Sequence, residues 1–230
     1  MKLKQIRVDG YKNLIDCEVN LGDFNVLVGP NNSGKSNFLE LFRVFGGICF
    51  GDDTIREFLL KGLIPKTRLS VSICHLEGHE NKPLTIGINF EIVIKRKKWN
   101  VDYEIKVKCS LAKKAKKGIL EERLTAKIVG RKGPRTEYIL RNQKKLIVYI
   151  NGTKKAPHPI SMKNISLQAI RSLYPDNEGL APEFKHFYKA INQIAGMRTF
   201  AFSPQGLREK YNEEQNIKGL RISSFDLLLI

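Results

Sequence analysis

The chemistry in this chain is densest over eight consecutive residues, Gly29-Pro30-Asn31-Asn32-Ser33-Gly34-Lys35-Ser36, a full match to the spacing G-x-x-x-x-G-K-[ST]. A loop that wraps a triphosphate must turn backbone N–H groups inward, and glycine is needed where a side chain would block that approach. Gly29 and Gly34 stand at those positions. Lys35 is spaced to reach the β and γ phosphates. The Ser36 hydroxyl is the expected protein ligand to Mg²⁺, on the first turn of a helix whose N-terminus favours anions. ATP and Mg²⁺ are therefore the expected cofactors. A glycine-rich turn that binds nothing would need neither an apolar strand before it nor a helix after it. Here residues 24–28 (FNVLV) read as a buried strand, central in its sheet, and residues 37–45 (NFLELFRVF) as a helix with one apolar face.

The elements that must position this loop follow from periodicity. Residues 3–8 and 17–21 alternate as two short strands with a turn at 10–14 between them, and Gly22-Asp23 leads into the stretch before the loop. Gly46-Gly47 is expected to end the loop's helix, and 53–61 reads as a short amphipathic helix stopped by Gly62 and Pro65. From residue 69 the period changes to two: 69–76, 84–95, 99–109, 120–129, 136–140 and 146–149 read as five or six antiparallel strands. Gly78, Gly118, Gly130, Gly133-Pro134 and Asn151-Gly152 punctuate them. Helices return at 161–173 and 182–195 around a loop at 175–179, and 197–203 reads as a further strand. The expected organisation is a nucleotide core over 1–68, a basic antiparallel β-subdomain over 69–155, and helices with a returning strand over 156–230.

The formal net charge is +17, and residues 95–155 alone hold 20 Lys or Arg against 5 Asp or Glu. Such a cluster is the electrostatic footprint of a nucleic-acid partner, or equally a solvated sheet face or a dock for an acidic protein surface. The apolar runs, such as 227–230, fall far short of the roughly 18 residues of a membrane span. No apolar signal segment follows Met1-Lys2-Leu3-Lys4-Gln5, so a cytoplasmic protein without membrane contact is expected. Cys17, Cys49, Cys74 and Cys109 are scattered without C-x-x-C spacing and read as reduced thiols, while His75, His79, His158 and His186 have no metal-ligand spacing. Ser36 has no base placed by the sequence to make it a nucleophile.

Two stretches, I-R-V-D-G-Y-K-N-L at 6–14 and N-V-L-V-G-P-N-N-S-G-K-S-N-F-L-E at 25–40, resemble the N-terminus of ABC-class ATPases of the RecF, SMC and OLD type. Ile88-Asn89-Phe90-Glu91 followed by Tyr103 resembles the β-subdomain inserted in the N-terminal lobe of those ATPases, and residues 119–124 resemble a strand start of their single-lobe bacterial members. The resemblance implies an α/β fold, a P-loop NTPase N-terminal lobe with an inserted antiparallel β-subdomain. It places the nucleotide among Gly29, Asn31, Asn32, Ser33, Gly34, Lys35, Ser36 and Asn37. It also puts the turn of Tyr11, Lys12 and Asn13 near adenine and ribose. Phe202-Ser203-Pro204-Gln205-Gly206-Leu207 is similar to the F-x-P-x-x-L element at the family's Q-loop position, which makes Gln205 a candidate for Mg²⁺ or the attacking water and, with Lys35, a candidate catalytic residue.

Hydrolysis in that family also uses an apolar strand ending in Asp-Glu, a signature segment from a second molecule across an ATP-bridged dimer, and a late histidine. No stretch here matches them; at Phe225-Asp226 the acid precedes the apolar residues. The resemblance thus covers the front half of such an ATPase, with the C-terminal lobe expected on another segment and a homodimer formed through ATP in the complete protein. The leading expectation is an ATP-binding lobe in DNA repair, DNA maintenance or phage defence that binds ATP but turns it over only when completed. The alternatives are a nucleotide-switched, non-specific nucleic-acid-binding module and an inactive structural remnant.

Overall fold

The computed structural model describes residues 1–51, 82–109, 117–174, 180–197, 199–201 and 227–229. In chain order these form β1 (Lys2–Asp9), β2 (Cys17–Asn20), α1 (Lys35–Phe50), β3 (Leu84–Ile94), β4 (Lys97–Lys108), β5 (Gly118–Ile128), β6 (Thr136–Asn142), β7 (Lys145–Ile150), β8 (Thr153–Lys154) and β9 (His158–Pro159). Helices α2 (Ser166–Leu173) and α3 (Phe184–Ala195) follow, then β10 (Thr199–Ala201) and β11 (Leu227–Leu229).

The alternation over residues 84–150 produces strands because it lets one face of each enter a core. Val101, Tyr103, Ile105 and Val107 of β4 are fully buried, while Asp102, Glu104 and Lys106 between them are partly exposed. A nine-stranded antiparallel sheet results, in the order β2-β1-β3-β4-β5-β6-β7-β8, with β9 also on β7. β1 pairs with β3, so the strands before and after the loop share one sheet. β10 and β11 form a separate parallel pair.

Helices cover the apolar face. Phe45 of α1 meets Tyr103 edge-on at 6.2 Å, and Phe187 of α3 meets Trp99 at 5.7 Å and Tyr138 at 5.2 Å. α1 does not stop at Gly46-Gly47 as the sequence suggests but runs to Phe50. The reason is a close approach: a Cβ at Gly46 would lie 2.2 Å from the Ala195 carbonyl oxygen at the end of α3. Glycine there admits a neighbouring backbone, at a helix-propensity cost of about 1 kcal/mol.

Two further expectations change. α2 begins at Ser166, not at residue 161. The carbonyls of Ser161 and Asn164 accept from the buried Arg141 guanidinium, and the Ser166 amide donates to Glu122 Oε2 at 2.8 Å, so residues 161–164 form a turn in place of a helix start. Residues 24–28 form no strand, and Phe24, Val26 and Val28 are 83%, 66% and 88% exposed. A doubly buried strand needs paired neighbours and two covering layers. Among the described residues none pairs with 24–28. The expected elements at 53–61, 69–76 and 175–179 lie outside the described residues. Among the described residues no helix is long and apolar enough to cross a membrane.

Candidate functional site

The loop before α1 is shaped by the residue that ends it. Gly34 is the N-cap of α1 with φ 97°, a left-handed conformation that other residues rarely adopt. It is also packed: a Cβ there would sit 3.1 Å from Leu14 Cδ2 and 3.2 Å from both side-chain polar atoms of Asn13. The glycine required by the motif therefore answers two demands, the reversal of the chain into the helix and the docking of the 11–14 turn.

Lys35 folds its side chain back over the loop. Its ammonium donates to the Gly29 and Pro30 carbonyls at 2.7 Å each and to Ser33 Oγ at 3.2 Å. All three partners are neutral oxygens, so no carboxylate competes with a phosphate for the ammonium. The first turn of α1 contains no acidic residue and its N-cap supplies no side-chain acceptor. The amides of Lys35, Ser36 and Asn37 lie where no intrahelical carbonyl can reach them. A lysine held among carbonyls beside such a helix N-terminus fits a polyanion. Ser36 is on this turn, a hard oxygen donor of the type Mg²⁺ takes. The residues present fit ATP and Mg²⁺.

Sequence-distant residues brace the loop. Asn13 Nδ2 donates to the Asn32 carbonyl at 3.1 Å, and Asn37 Nδ2 donates to Asn13 Oδ1 at 2.7 Å. Lys12 Nζ donates to Asn37 Oδ1 at 3.3 Å and to Glu40 Oε2. Tyr11 OH also donates to Glu40 Oε2, at 3.1 Å, and Arg43 reaches Oε1 at 2.7 Å. Burial pushes the Glu40 carboxyl up, but the Lys12 and Tyr11 hydrogen bonds and the Lys12 charge outweigh it and hold it below its ordinary value. Burial and the Glu40 charge together drive the Tyr11 phenol well above its usual range.

The structure thus brings Lys12, Asn13, Asn32, Ser33, Gly34, Lys35 and Asn37 into one cluster, with Gly29 under the Lys35 ammonium and Ser36 on the adjoining turn. Asn31 is exposed at the tip. Gln205 and the 202–207 element lie outside the described residues. Glu40 closes the N-F-L-E stretch at 37–40 that is part of the family resemblance, but the motif spacing gives it no role. Its signal is positional: three residues after Asn37 it returns to the same helix face, where a charge beside an apolar stripe calls for a partner.

The basic residues of 95–155 divide by location. On the polar face of the sheet Lys98 pairs with Glu91 at 2.9 Å, Lys106 with Glu121 at 3.6 Å and Arg123 with Glu137, as Arg7 of β1 does with Asp102 at 2.9 Å, whereas Lys108 and Lys127 make no ion pair among the described residues. Lys95, Arg96, Arg131 and Lys132, in the β3–β4 and β5–β6 connections, are exposed and make no ion pair among the described residues. Trp99, Lys127, Arg131 and Lys132 help line an open cleft of 230 Å³ at that end.

A search of curated proteins finds no match. Residues 1–217 match the AAA ATPase domain family. With nearly the whole sequence covered and a phosphate-type loop in place at the head of α1, the chain belongs to the AAA ATPase domain family.

Proposed function

We propose that this chain is the ATP-binding N-terminal lobe of a RecF/SMC/OLD-like ATPase acting in DNA maintenance or phage defence. The family supports nucleotide binding and ATPase function in general. The observation that carries the finer reading is the docking of Lys12 and Asn13, from the turn after β1, onto the loop and the Asn37 side chain of α1. This arrangement suits a nucleotide gripped from two sides, with its phosphates at the loop and its base and ribose toward the turn.

In this reading the amides of the loop and of the first turn of α1 bind the phosphates, and Lys35 leaves the Gly29 and Pro30 carbonyls for the β and γ oxygens. Mg²⁺, when bound, neutralises charge on those oxygens, with Ser36 as its protein ligand and Gln205 as a further candidate. Turnover belongs to the completed ATPase, with acidic and signature residues from a second lobe and a second molecule. The test is thermal unfolding of the chain with ATP and Mg²⁺ against each alone, together with phosphate release. The expected result is stabilisation with negligible turnover; robust hydrolysis by the pure chain would remove the need for the second lobe.

A second reading, non-specific nucleic-acid binding, is favoured by one observation: Lys95, Arg96, Arg131 and Lys132, exposed and without a carboxylate partner among the described residues, lie together at the β3–β4 and β5–β6 connections, with Lys97 and Lys127 on the adjoining strand ends. Duplex DNA titrated at two salt concentrations tests it. Binding that weakens steeply with salt is expected. No binding at low salt would leave those connections as solvated surface or a dock for an acidic protein.

A further inference from the structure

We propose that Glu40 is a positioning residue of the nucleotide site, acting through Lys12 to hold the 11–14 turn against the loop. The inference rests on the reading of residues 29–36 as a nucleotide loop.

Glu40 lies outside the G-x-x-x-x-G-K-S motif, more than a turn into α1, yet it gathers Tyr11, Lys12 and Arg43 around one carboxylate. Its side chain is 20% exposed and that of Lys12 15%. A pair so far from water contributes little to net stability, because desolvation offsets the attraction; what such a pair specifies is geometry. Lys12 has φ 48°, a left-handed backbone that Lys95 takes in an exposed hairpin turn, whereas at Lys12 the side chain is enclosed and held. The surroundings are the Glu40 carboxylate, the Asn37 amide oxygen at 3.3 Å, and the Tyr11 ring, whose centroid lies 5.6 Å from Lys12 Nζ.

From Lys12 the hydrogen bonds run unbroken to the loop: Lys12 bonds Asn37, Asn37 bonds Asn13, and Asn13 bonds the carbonyl of Asn32. Asn32 is itself left-handed, with φ 65°. Asn13 and Leu14 also fill the space beside Gly34. A shift of the turn would free the Asn32 carbonyl and open the flank of Gly34 together. Glu40 anchors the far end of this path on a rigid helix. Arg43, with its side chain 55% exposed, is the outer partner of Glu40 and is not on the path to the loop.

The assignment predicts energetic coupling between Glu40 and Lys12 in nucleotide affinity. A fluorescent ATP analogue is titrated with Mg²⁺ into the wild-type chain, Glu40→Gln, Lys12→Met, the double variant and Arg43→Ala, with the melting temperature of each recorded. Glu40→Gln keeps the length of the side chain and an acceptor for Tyr11, and Lys12→Met keeps the apolar stem. Each is expected to weaken binding about tenfold, and the double variant no more than the weaker single, as for residues in one hydrogen-bonded network. Arg43→Ala should stay within about twofold, as for a surface pair. Wild-type affinity in Glu40→Gln, even with a lowered melting temperature, overturns the proposal and makes Glu40 a packing residue. Losses that multiply in the double variant overturn it as well. Should Glu40→Gln fail to fold, Glu40→Asp, which keeps the charge but shortens the reach, is read against Lys12→Met in the same way. Failure of the wild-type chain to bind is a separate result, which removes the nucleotide reading and this proposal with it.

Discussion

Two groups of cations, one around the loop before α1 and one at the β3–β4 and β5–β6 connections, lie at opposite ends of the large sheet and are held in opposite ways. At one end Asp9 pairs with Thr85, and the 10–14 turn and the loop before α1 gather there. At the other Ile94 pairs with Lys97 and Trp99 with Ile128, and the basic connections project from it. Strand rise puts the two ends about 30 Å apart. Around the loop itself the cations are fixed, Lys35 on two carbonyls and a hydroxyl, Lys12 on a carboxylate and an amide, although Lys144 and Lys145 in the β6–β7 turn at the same end of the sheet are exposed. At the connection end Lys95, Arg96, Arg131 and Lys132 have no carboxylate partner among the described residues. A held cation is a site, since the ordering entropy was lost in folding and not at binding. A cluster of solvated cations is a field, which raises the local concentration of polyanions without choosing among them.

That contrast is sharpest at Lys35. If the loop end is a built site, Lys35→Ala should abolish ATP-dependent stabilisation, which at a hundred times Kd amounts to about 2.7 kcal/mol. Differential scanning fluorimetry with and without Mg-ATP reads it. A retained shift would mean that backbone amides alone hold the nucleotide.

Gly34→Ala comes next. It places a Cβ 3.1 Å from Leu14 and forces a left-handed backbone on alanine, at a cost of roughly 1–2 kcal/mol. Urea denaturation measures the loss of stability, and nucleotide affinity should fall with it because the first turn of α1 shifts. An alanine variant as stable as wild type would show that the turn yields without strain.

A smaller effect comes from acid. The folded-state pKa of Glu40 lies below its ordinary value of 4.5, so its contribution is complete above the unfolded value and disappears as pH falls through the folded one. Glu40→Gln should therefore flatten the stability-versus-pH curve below about pH 4.5 and leave its shape at neutral pH unchanged. Equal acid profiles for variant and wild type would place the shift elsewhere.

The smallest effect on folding is expected at the connection end. Arg131→Glu with Lys132→Glu should change stability by less than about 0.5 kcal/mol each, as exposed residues do. Yet the log–log salt slope for duplex DNA should drop in magnitude by about 0.9 for each phosphate that is no longer neutralised. Unchanged DNA affinity and slope would show that Arg131 and Lys132 neutralise no phosphate.

The primary structure by itself determined the features whose rule is local. The G-x-x-x-x-G-K-S spacing marks the loop because phosphate wrapping needs those residue types in that order. The alternation over 84–150 marks the strands because a half-buried strand repeats every two residues. Tertiary structure alone decided what depends on a neighbour far along the chain. Gly46 reads as a helix stop until the Ala195 carbonyl is seen against it. Residues 161–164 read as helix until Arg141 claims their carbonyls. FNVLV reads as a buried strand, but burial belongs to the layers around a strand and not to its own composition; Phe24, Val26 and Val28 remain exposed among the described residues. Glu40 follows the same logic, because its partner Lys12 lies 28 residues away and only the packing of α1 beside the turn after β1 brings their charges together.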